Sequence, residues 1–168
     1  LSRTCERHEK ADSITAVILA GGSGTRLRSV VADRPKVLAE VQGRPFLAFL
    51  LDQVASAGAR YVVLCTGYRG EQVRDMFGDT CGDMNLAYSH EPEPLGTAGA
   101  LRLALPFMKS DPVMVMNGDS FCETDLAGFW GWHRTHRASA SLLLTRVPDT
   151  QRYGRVKVDE GARVTGFD

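Results

Sequence analysis

Two kinds of apolar pattern alternate along the chain. Short continuous runs of β-branched and aliphatic residues are typical of strands buried on both faces, and longer stretches carry apolar residues at helical spacing. The runs predict strands at residues 14–20, 61–65, 86–89, 113–116 and 141–145. The helical spacing predicts helices at residues 45–57, 71–77, 97–105 and 125–136, followed by a hairpin of residues 155–158 with 163–167.

Strands that alternate with helices predict an α/β fold: three layers, α/β/α, around a mostly parallel central sheet. In such sheets ligands bind beyond the carboxyl ends of the strands, so the loops that follow the strands are the candidates for function. These loops are residues 21–27, 66–70, 90–97 and 117–120. Residues 1–13 are charged and carry no apolar pattern, so we expect a flexible segment ahead of one domain at residues 14–168.

Composition narrows the choice of partners. The 168 residues hold 20 Lys plus Arg and 20 Asp plus Glu, and a net charge of zero does not favour a nucleic-acid binder. The apolar runs are far shorter than the roughly 20 residues that span a bilayer, so no membrane association is expected. The 4 cysteines show no metal-ligand spacing and are expected to be free thiols in a reducing, cytoplasmic compartment.

The loop after the first predicted strand is rich in glycine. Glycines there let the backbone turn sharply and bring its N–H groups against a phosphate, and an arginine supplies a cation whose fork matches phosphate oxygens. The loop lacks the Gly-Lys-Ser/Thr ending of a P-loop, and Leu27 stands where a dinucleotide fingerprint needs glycine or alanine. A glycine-rich turn without ligand remains the alternative. The loop residues are Gly21, Gly22, Ser23, Gly24, Thr25 and Arg26.

Two further charged residues are candidates for the same site. Lys36 follows Pro35, which fixes the local backbone and so aims the lysine; a solvated loop lysine is the alternative. Asp119 follows the predicted strand at residues 113–116. Beside a phosphate loop it is suited to bind Mg²⁺, which takes one or two carboxylates plus phosphate oxygens. An Asx-turn or a helix cap is the alternative for this aspartate.

Six stretches of the chain resemble, in the same order, the signature of the sugar-1-phosphate nucleotidylyltransferases. Residues 26–33, RLRSVVAD, and the stretch LGTAGA are most similar to the D-glycero-α-D-manno-heptose-1-phosphate guanylyltransferases, with the mannose-1-phosphate guanylyltransferases as near neighbours. The six stretches are residues 19–27 (LAGGSGTRL), 35–36 (PK), 43–46 (GRPF), 93–100 (EPLGTAGA), 117–119 (NGD) and 152–154 (RYG).

The resemblance implies a Rossmann-like nucleotidyltransferase fold and a reaction that joins GTP or another NTP to a sugar 1-phosphate. It implies that Arg26 faces the leaving pyrophosphate, that Lys36 reaches the attacking or the α-phosphate, and that Asp119 binds Mg²⁺. It places a sugar contact at Tyr153 and Gly154. The nucleotide-binding residues that it implies, besides the glycine-rich loop itself, are Leu19, Ala20, Glu91, Gly96, Thr97, Asn117 and Gly118.

Glu91 lies five positions before Gly96, where the resemblance places a side chain that contacts the base. An ionised glutamate only accepts hydrogen bonds. Guanine offers it two adjacent donors, N1–H and N2–H₂, whereas adenine presents an acceptor at N1 and uracil or thymine a single N3–H. We therefore expect a preference for guanine; a solvent-facing glutamate is the alternative.

The family pairs the metal-binding aspartate with a second one, which would fall beyond Asp168. We therefore expect the chain to be the nucleotide-binding portion of a larger transferase, without its C-terminal part, and to bind nucleotide better than it turns it over. A catalytically silent nucleotide-sugar-binding or regulatory module is the alternative, although such modules usually lose residues equivalent to Arg26 or Asp119. Homodimers are common in the family, but the sequence carries no mark of one.

Overall fold

A computed structural model of the protein describes residues 14–22, 34–148 and 154–168. The chain divides into two compact units, Leu1–Trp130 and Gly131–Asp168. The expected flexible segment, residues 1–13, lies outside the described residues, and a single domain over residues 14–168 stays a prediction. Within the described ranges, no helix is long and apolar enough to cross a membrane.

The first unit is built on a five-stranded sheet with the spatial order β5-β6-β4-β1-β7. β6, β4, β1 and β7 are parallel, and the short edge strand β5 pairs antiparallel with β6. The strands of the first unit, in chain order, are β1 (Ile14–Leu19), β2 (Glu40–Val41), β3 (Arg44–Pro45), β4 (Ala59–Thr66), β5 (Thr80–Cys81), β6 (Met84–His90) and β7 (Met114–Asn117). The helices are α1 (Phe46–Ser56), α2 (Gly70–Phe77), α3 (Gly96–Ala104) and α4 (Leu126–His136), the last of which contains the division between the units.

Helices cover the central strands on both faces. Ala16 and Ile18 of β1 pack in a core with the buried side of α1, whereas Val17 packs on the opposite face with Ala100 and Ala104 of α3. This alternation follows from the strand geometry, in which successive side chains point to opposite faces. The prediction of three α/β/α layers around a mostly parallel sheet is therefore confirmed.

The helix bounds differ from the predicted ones by at most one residue at each end. α1 begins at Phe46, so Pro45 precedes the helix instead of occupying its first turn. The buried stripe of α1 consists of Leu47, Leu50, Leu51 and Val54, and the helix is followed by Gly58 with a φ of 91°, a conformation that favours glycine. A 3-10 turn at Lys36–Leu38 and the pair β2–β3 were not predicted, because segments of two or three residues carry no periodicity.

The second unit contains the antiparallel hairpin of β8 (Val156–Val158) and β9 (Val164–Phe167), which confirms the hairpin prediction. The strand predicted at residues 141–145 is wrong. This stretch has no strand partner within the described part of the chain, and Leu142, Leu143 and Leu144 are each about half exposed. A run of leucines indicates a tendency to be buried, but a strand also needs a neighbouring strand to hydrogen-bond with.

The order of the parallel strands locates the place where a ligand can bind. From β1 the chain builds outward through β4 to β6 and then returns to the other side of β1 as β7. The strand order therefore changes direction at β1, and in doubly wound sheets ligands bind beyond the carboxyl ends of the strands at such a switch point.

Candidate functional site

A cavity of about 330 Å³ opens at this switch point, beyond the carboxyl ends of β1, β6 and β7. This volume lies within the range of small-molecule sites. The residues that line it come from the glycine-rich loop, the 3-10 turn, the loop after β6, the first turns of α3 and the end of β7. They are Leu19, Ala20, Gly21, Gly22, Lys36, Val37, Glu91, Pro94, Gly96, Thr97, Ala100, Asn117 and Asp119.

Backbone hydrogen bonds continue past the ends of the strands and hold the bases of these loops together. Ala20 N–H donates to Cys65 O at 2.8 Å, Glu91 N–H to Thr66 O at 2.7 Å, and Gly118 N–H to Leu19 O at 2.9 Å. The rim of the cavity is therefore fixed to the sheet, which keeps its polar groups in place before a ligand arrives.

Lys36 and Asp119 meet across the cavity although 83 positions separate them in the sequence. Lys36 Nζ donates to Asp119 Oδ2 at 2.9 Å, and Ser120 Oγ donates to Oδ1 at 3.1 Å. The lysine is held because its turn is anchored by the buried side chains of Val37 and Leu38. The hydrogen bond from Lys36 lowers the pKa of Asp119 below its usual range, so that the carboxylate is ionised throughout the neutral range.

The turn that carries Asp119 packs closely on β1. A Cβ at Gly118 would lie 2.7 Å from Leu19 O and 3.1 Å from Val37 Cγ1. The loop after β7 can approach β1 this closely only because the residue before the aspartate has no side chain.

Glu91 is half-buried and lines the cavity beside Gly21, where a Cβ on the glycine would lie 2.6 Å from Glu91 Oε1. Its Oε2 accepts a hydrogen bond from Leu95 N–H at 3.1 Å, which ties down the loop that leads into α3. α3 then begins at Gly96, whose φ of 69° turns the chain into the helix. The start of α3 thus presents backbone N–H groups and the positive end of the helix dipole to the cavity, an arrangement that favours an anion.

The donor set at Asp119 fits Mg²⁺. The aspartate is ionised, as a metal ligand must be, and it lies on the rim of a cavity large enough for phosphate oxygens to complete the coordination. The described ranges contain no cluster of three or more His, Cys, Asp or Glu side chains that could hold a metal ion. Of the described residues, Asp119 would therefore contribute one carboxylate, and phosphate oxygens of a substrate and water could supply further ligands.

Most of the predicted site residues that the structure describes line this cavity, and Gly118 packs directly beneath it. Gly154 lies in the second unit and is exposed. The roles predicted for these residues stay predictions. Five predicted residues lie outside the described part of the chain: Ser23, Gly24, Thr25, Arg26 and Tyr153.

The sequence predictions missed three lining residues, Val37, Pro94 and Ala100. Pro94 and Ala100 stand within the resembling stretch 93–100, so the motif itself was a signal for them. Val37 carried no signal beyond its position after Lys36. Arg34, a neighbouring cation, is directed to Glu40 at 3.2 Å instead of the cavity.

The fold and the switch-point cavity define a doubly wound α/β protein with a Rossmann-like sheet. The chain belongs to the nucleotidyl transferase family, whose family model matches residues 15–168.

Two relatives that the chain resembles are named as guanylyltransferases of sugar 1-phosphates. The chain is 37% identical over 153 residues to the D-glycero-alpha-D-manno-heptose 1-phosphate guanylyltransferase of Campylobacter jejuni, a match over 91% of the chain and 67% of the relative. It is 39% identical over 155 residues to the mannose-1-phosphate guanylyltransferase of Mycobacterium tuberculosis, over 92% of the chain and 43% of the relative.

A solved structure has a similar fold. HddC from Yersinia pseudotuberculosis, crystallised in complex with GMP-PN, superposes with a TM-score of 0.73 at 31% identity, over 92% of this chain and 68% of that one. The chain thus spans about two thirds of the length of some relatives and less than half of others.

Proposed function

We propose that the protein binds GTP in the switch-point cavity and transfers its GMP group to a sugar 1-phosphate, releasing pyrophosphate. The observation that carries this proposal is the 2.9 Å contact of Lys36 with Asp119 at the topological switch point of the sheet. It puts a cation for phosphate and a carboxylate for a divalent metal side by side, which are the two requirements of phosphoryl transfer. The guanylyltransferase names of two relatives support the choice of reaction.

In the proposed reaction, an oxygen of the sugar phosphate attacks the α-phosphorus of GTP in line with the leaving group. The new bond joins that oxygen to the α-phosphorus, and the bond between the α-phosphorus and the bridging oxygen to the β-phosphate breaks. Pyrophosphate leaves with the electron pair. Because both reactants are anions, the protein's task is to position them and to neutralise charge.

The described residues supply this neutralisation from several directions. Lys36 would leave its ion pair to contact the α-phosphate or the attacking phosphate, while the amides of Gly21 and Gly22 and the start of α3 would donate hydrogen bonds to phosphate oxygens. Arg26, outside the described residues, would face the pyrophosphate. Asp119 would hold Mg²⁺, which supplies further neutralisation of the phosphates when bound.

Glu91 is proposed to select guanine. One of its oxygens is engaged by Leu95 N–H, but a carboxylate has about four acceptor sites and can still receive N1–H and N2–H₂ of guanine. We expect Glu91→Gln to reduce the preference for GTP over ATP by about tenfold, since the variant replaces an acceptor with a donor and removes a charge-assisted bond. Competition binding of GTP, UTP and ATP measures this preference. An unchanged preference in the variant would refute the assignment.

The sugar 1-phosphate is proposed to be D-glycero-α-D-manno-heptose 1-phosphate, with mannose 1-phosphate as the equally supported alternative. A relative named for the heptose phosphate and a relative named for the mannose phosphate match this chain at similar identity, 37% and 39%. The sugar contacts proposed for Tyr153 and Gly154 do not distinguish the two sugars.

Pyrophosphate release in the presence of Mg²⁺ tests the reaction directly. GTP, CTP and UTP are each combined with heptose 1-phosphate and with mannose 1-phosphate, and the variant Lys36→Met serves as the inactive control. We expect pyrophosphate release only with GTP and one of the two sugar phosphates, and no release from the Lys36→Met variant. Nucleotide binding without release from any pair would instead identify a silent nucleotide-binding module.

A further inference from the structure

Gln53 lies on α1, and its side-chain amide reaches the loop that carries Asp119. Gln53 Nε2 donates a hydrogen bond to Cys122 O at 2.6 Å, although 69 positions separate the two residues. We propose that Gln53 is a positioning residue: this hydrogen bond holds the loop after β7 so that the carboxylate of Asp119 stays in place for Mg²⁺. The inference rests on the proposed function, in which Asp119 binds the metal together with the phosphates of GTP.

The loop between β7 and α4, residues 118–125, is held at both ends and exposed between them. At its start Gly118 N–H donates to Leu19 O at 2.9 Å, and after its end Leu126 begins α4 with a buried side chain. Residues 119–123 are exposed, so burial contributes little to fixing their conformation. The position of Asp119 therefore depends on individual hydrogen bonds.

Two hydrogen bonds connect the exposed part of this loop to other described elements: the one from Gln53 and the one that Asp119 receives from Lys36. In the proposed reaction Lys36 leaves Asp119 for a phosphate, so the second bond is lost when the ligand binds. Gln53 is not among the residues that line the cavity, and its bond to the loop can remain. Without that bond the loop would spend part of its time in arrangements unable to bind the metal, and the apparent affinity would fall by that fraction.

The other end of the amide has no partner. Gln53 Oε1 is buried and accepts no hydrogen bond from the residues that the structure describes. Turning the amide over would place this oxygen against Cys122 O, which is also an acceptor, so the orientation is fixed. A buried acceptor without a partner destabilises a protein, and an apolar side chain of similar length would avoid this cost. The contact that the donor makes therefore explains the glutamine better than the stability of α1 does.

The experiment measures GTP affinity by calorimetry, in EDTA and in Mg²⁺, for the wild type, Q53M and the control S56A. Methionine is similar to glutamine in length and helix propensity but lacks the donor. S56A breaks another side-chain bond to backbone on the same helix, from Ser56 Oγ to Asp52 O at 2.8 Å, which does not involve the loop. Q53M should weaken binding in Mg²⁺ by about two- to tenfold, the range of one hydrogen bond, and leave binding in EDTA unchanged. S56A should match the wild type in both.

Three further measurements separate positioning from a structural role. In urea, Q53M should be at least as stable as the wild type, because it removes a buried acceptor that has no partner. In the D119N background, Q53M should not change the affinity in Mg²⁺, because the carboxylate that Gln53 positions is gone. Q53E keeps the shape of the side chain but replaces the donor with an acceptor, so it should lose at least as much affinity in Mg²⁺ as Q53M.

Full affinity of Q53M and Q53E in Mg²⁺ would overturn the inference. So would a loss of the same size in EDTA and in Mg²⁺, or a further loss when Q53M is added to D119N. A Q53M chain that failed to fold would also overturn it, since the glutamine would then serve the fold itself. A wild type whose GTP affinity did not rise with Mg²⁺ would instead refute the role proposed for Asp119, and the inference with it.

Discussion

Replacing Asp119 with asparagine should change GTP binding in opposite directions with and without Mg²⁺. The carboxylate holds Lys36 at 2.9 Å, and so a metal-free triphosphate must break this ion pair before it can use the lysine. Asp119→Asn releases the lysine and removes a negative charge from the cavity. The variant should therefore bind metal-free GTP more tightly than the wild type and lose the gain that Mg²⁺ brings.

The exposure of the pair decides the size of the effect. Two unit charges 2.9 Å apart attract by about 1.4 kcal/mol at the dielectric constant of water and about 6 kcal/mol at an effective value of 20. The side chains of Lys36 and Asp119 are 34% and 48% exposed, so solvent screens them and the pair is worth about 0.2–1 kcal/mol, as other exposed pairs are. The metal-free affinity of the variant should thus rise by about 1.4- to 5-fold.

Isothermal titration calorimetry with GTP, first in EDTA and then in Mg²⁺, measures the metal-free and the metal-dependent affinity on one protein sample. Asp52→Asn is the matched control: it makes the same change of net charge and breaks a similar exposed ion pair, Arg44 with Asp52 at 2.8 Å, away from the cavity lining. The control should leave both affinities unchanged.

Weaker metal-free binding by Asp119→Asn would refute the reasoning, since it would mean that the carboxylate helps to hold the lysine for the phosphate. The pH dependence provides a further check. The pKa of Asp119 is lowered, so its contribution to stability is complete above the unfolded value of 3.8 and is lost only as the pH falls through the lower folded value. Metal-free GTP binding should accordingly show no titration of Asp119 between about pH 5 and 8.

Two predictions concern the interior. Burial, and secondarily the charge of Glu91, raises the pKa of the Cys65 thiol to about 11. Cys65 should therefore resist alkylation by iodoacetamide at pH 8, whereas the exposed Cys122 should react. Mass spectrometry of the native and the urea-unfolded protein measures the labelling, and rapid labelling of Cys65 in the native protein would contradict the prediction. Leu50→Ala removes a fully buried side chain of α1 and should lower the free energy of unfolding by about 2–5 kcal/mol. The same change at Leu105, which is 60% exposed, should cost less than about 0.5 kcal/mol, and equal urea midpoints for the two variants would contradict the assignment of the core.

Much of the fold was predictable because its strands are buried on both faces. In a continuous apolar run such as residues 14–20, side chains on both faces must be buried, and a central strand is one of few arrangements that bury them. The structure has β1 there. The failure at residues 141–145 shows the limit of this argument. The leucines of this run carry the same signal, but whether a neighbouring strand is present to pair with them is not a property of the run itself.

The candidate site was predictable in its residue types and not in its contacts. The motifs indicated Lys36 and Asp119 separately, and each had an alternative without a ligand: a solvated lysine, and an Asx-turn or helix cap. No local pattern joins residues so far apart. Their ion pair arises because β1 and β7 are neighbours, with Leu19 in register with Asn117. Similarly, the close packing of Gly118 on Leu19 left no trace in the periodicity, since a glycine required for space and a glycine required for a turn look alike in a sequence.

The alternation of strands and helices, the glycine-rich loop and the family resemblance could be recognised in the sequence, because each depends on residues close together in the chain. Only the folded chain shows that the cavity opens beyond the ends of β1, β6 and β7, that Lys36 pairs with Asp119, and that Gly118 packs against Leu19. The physical reason is the strand order: it places side by side strands that are distant in sequence, and the distances of a few ångströms that govern charge and fit exist only after that order is set.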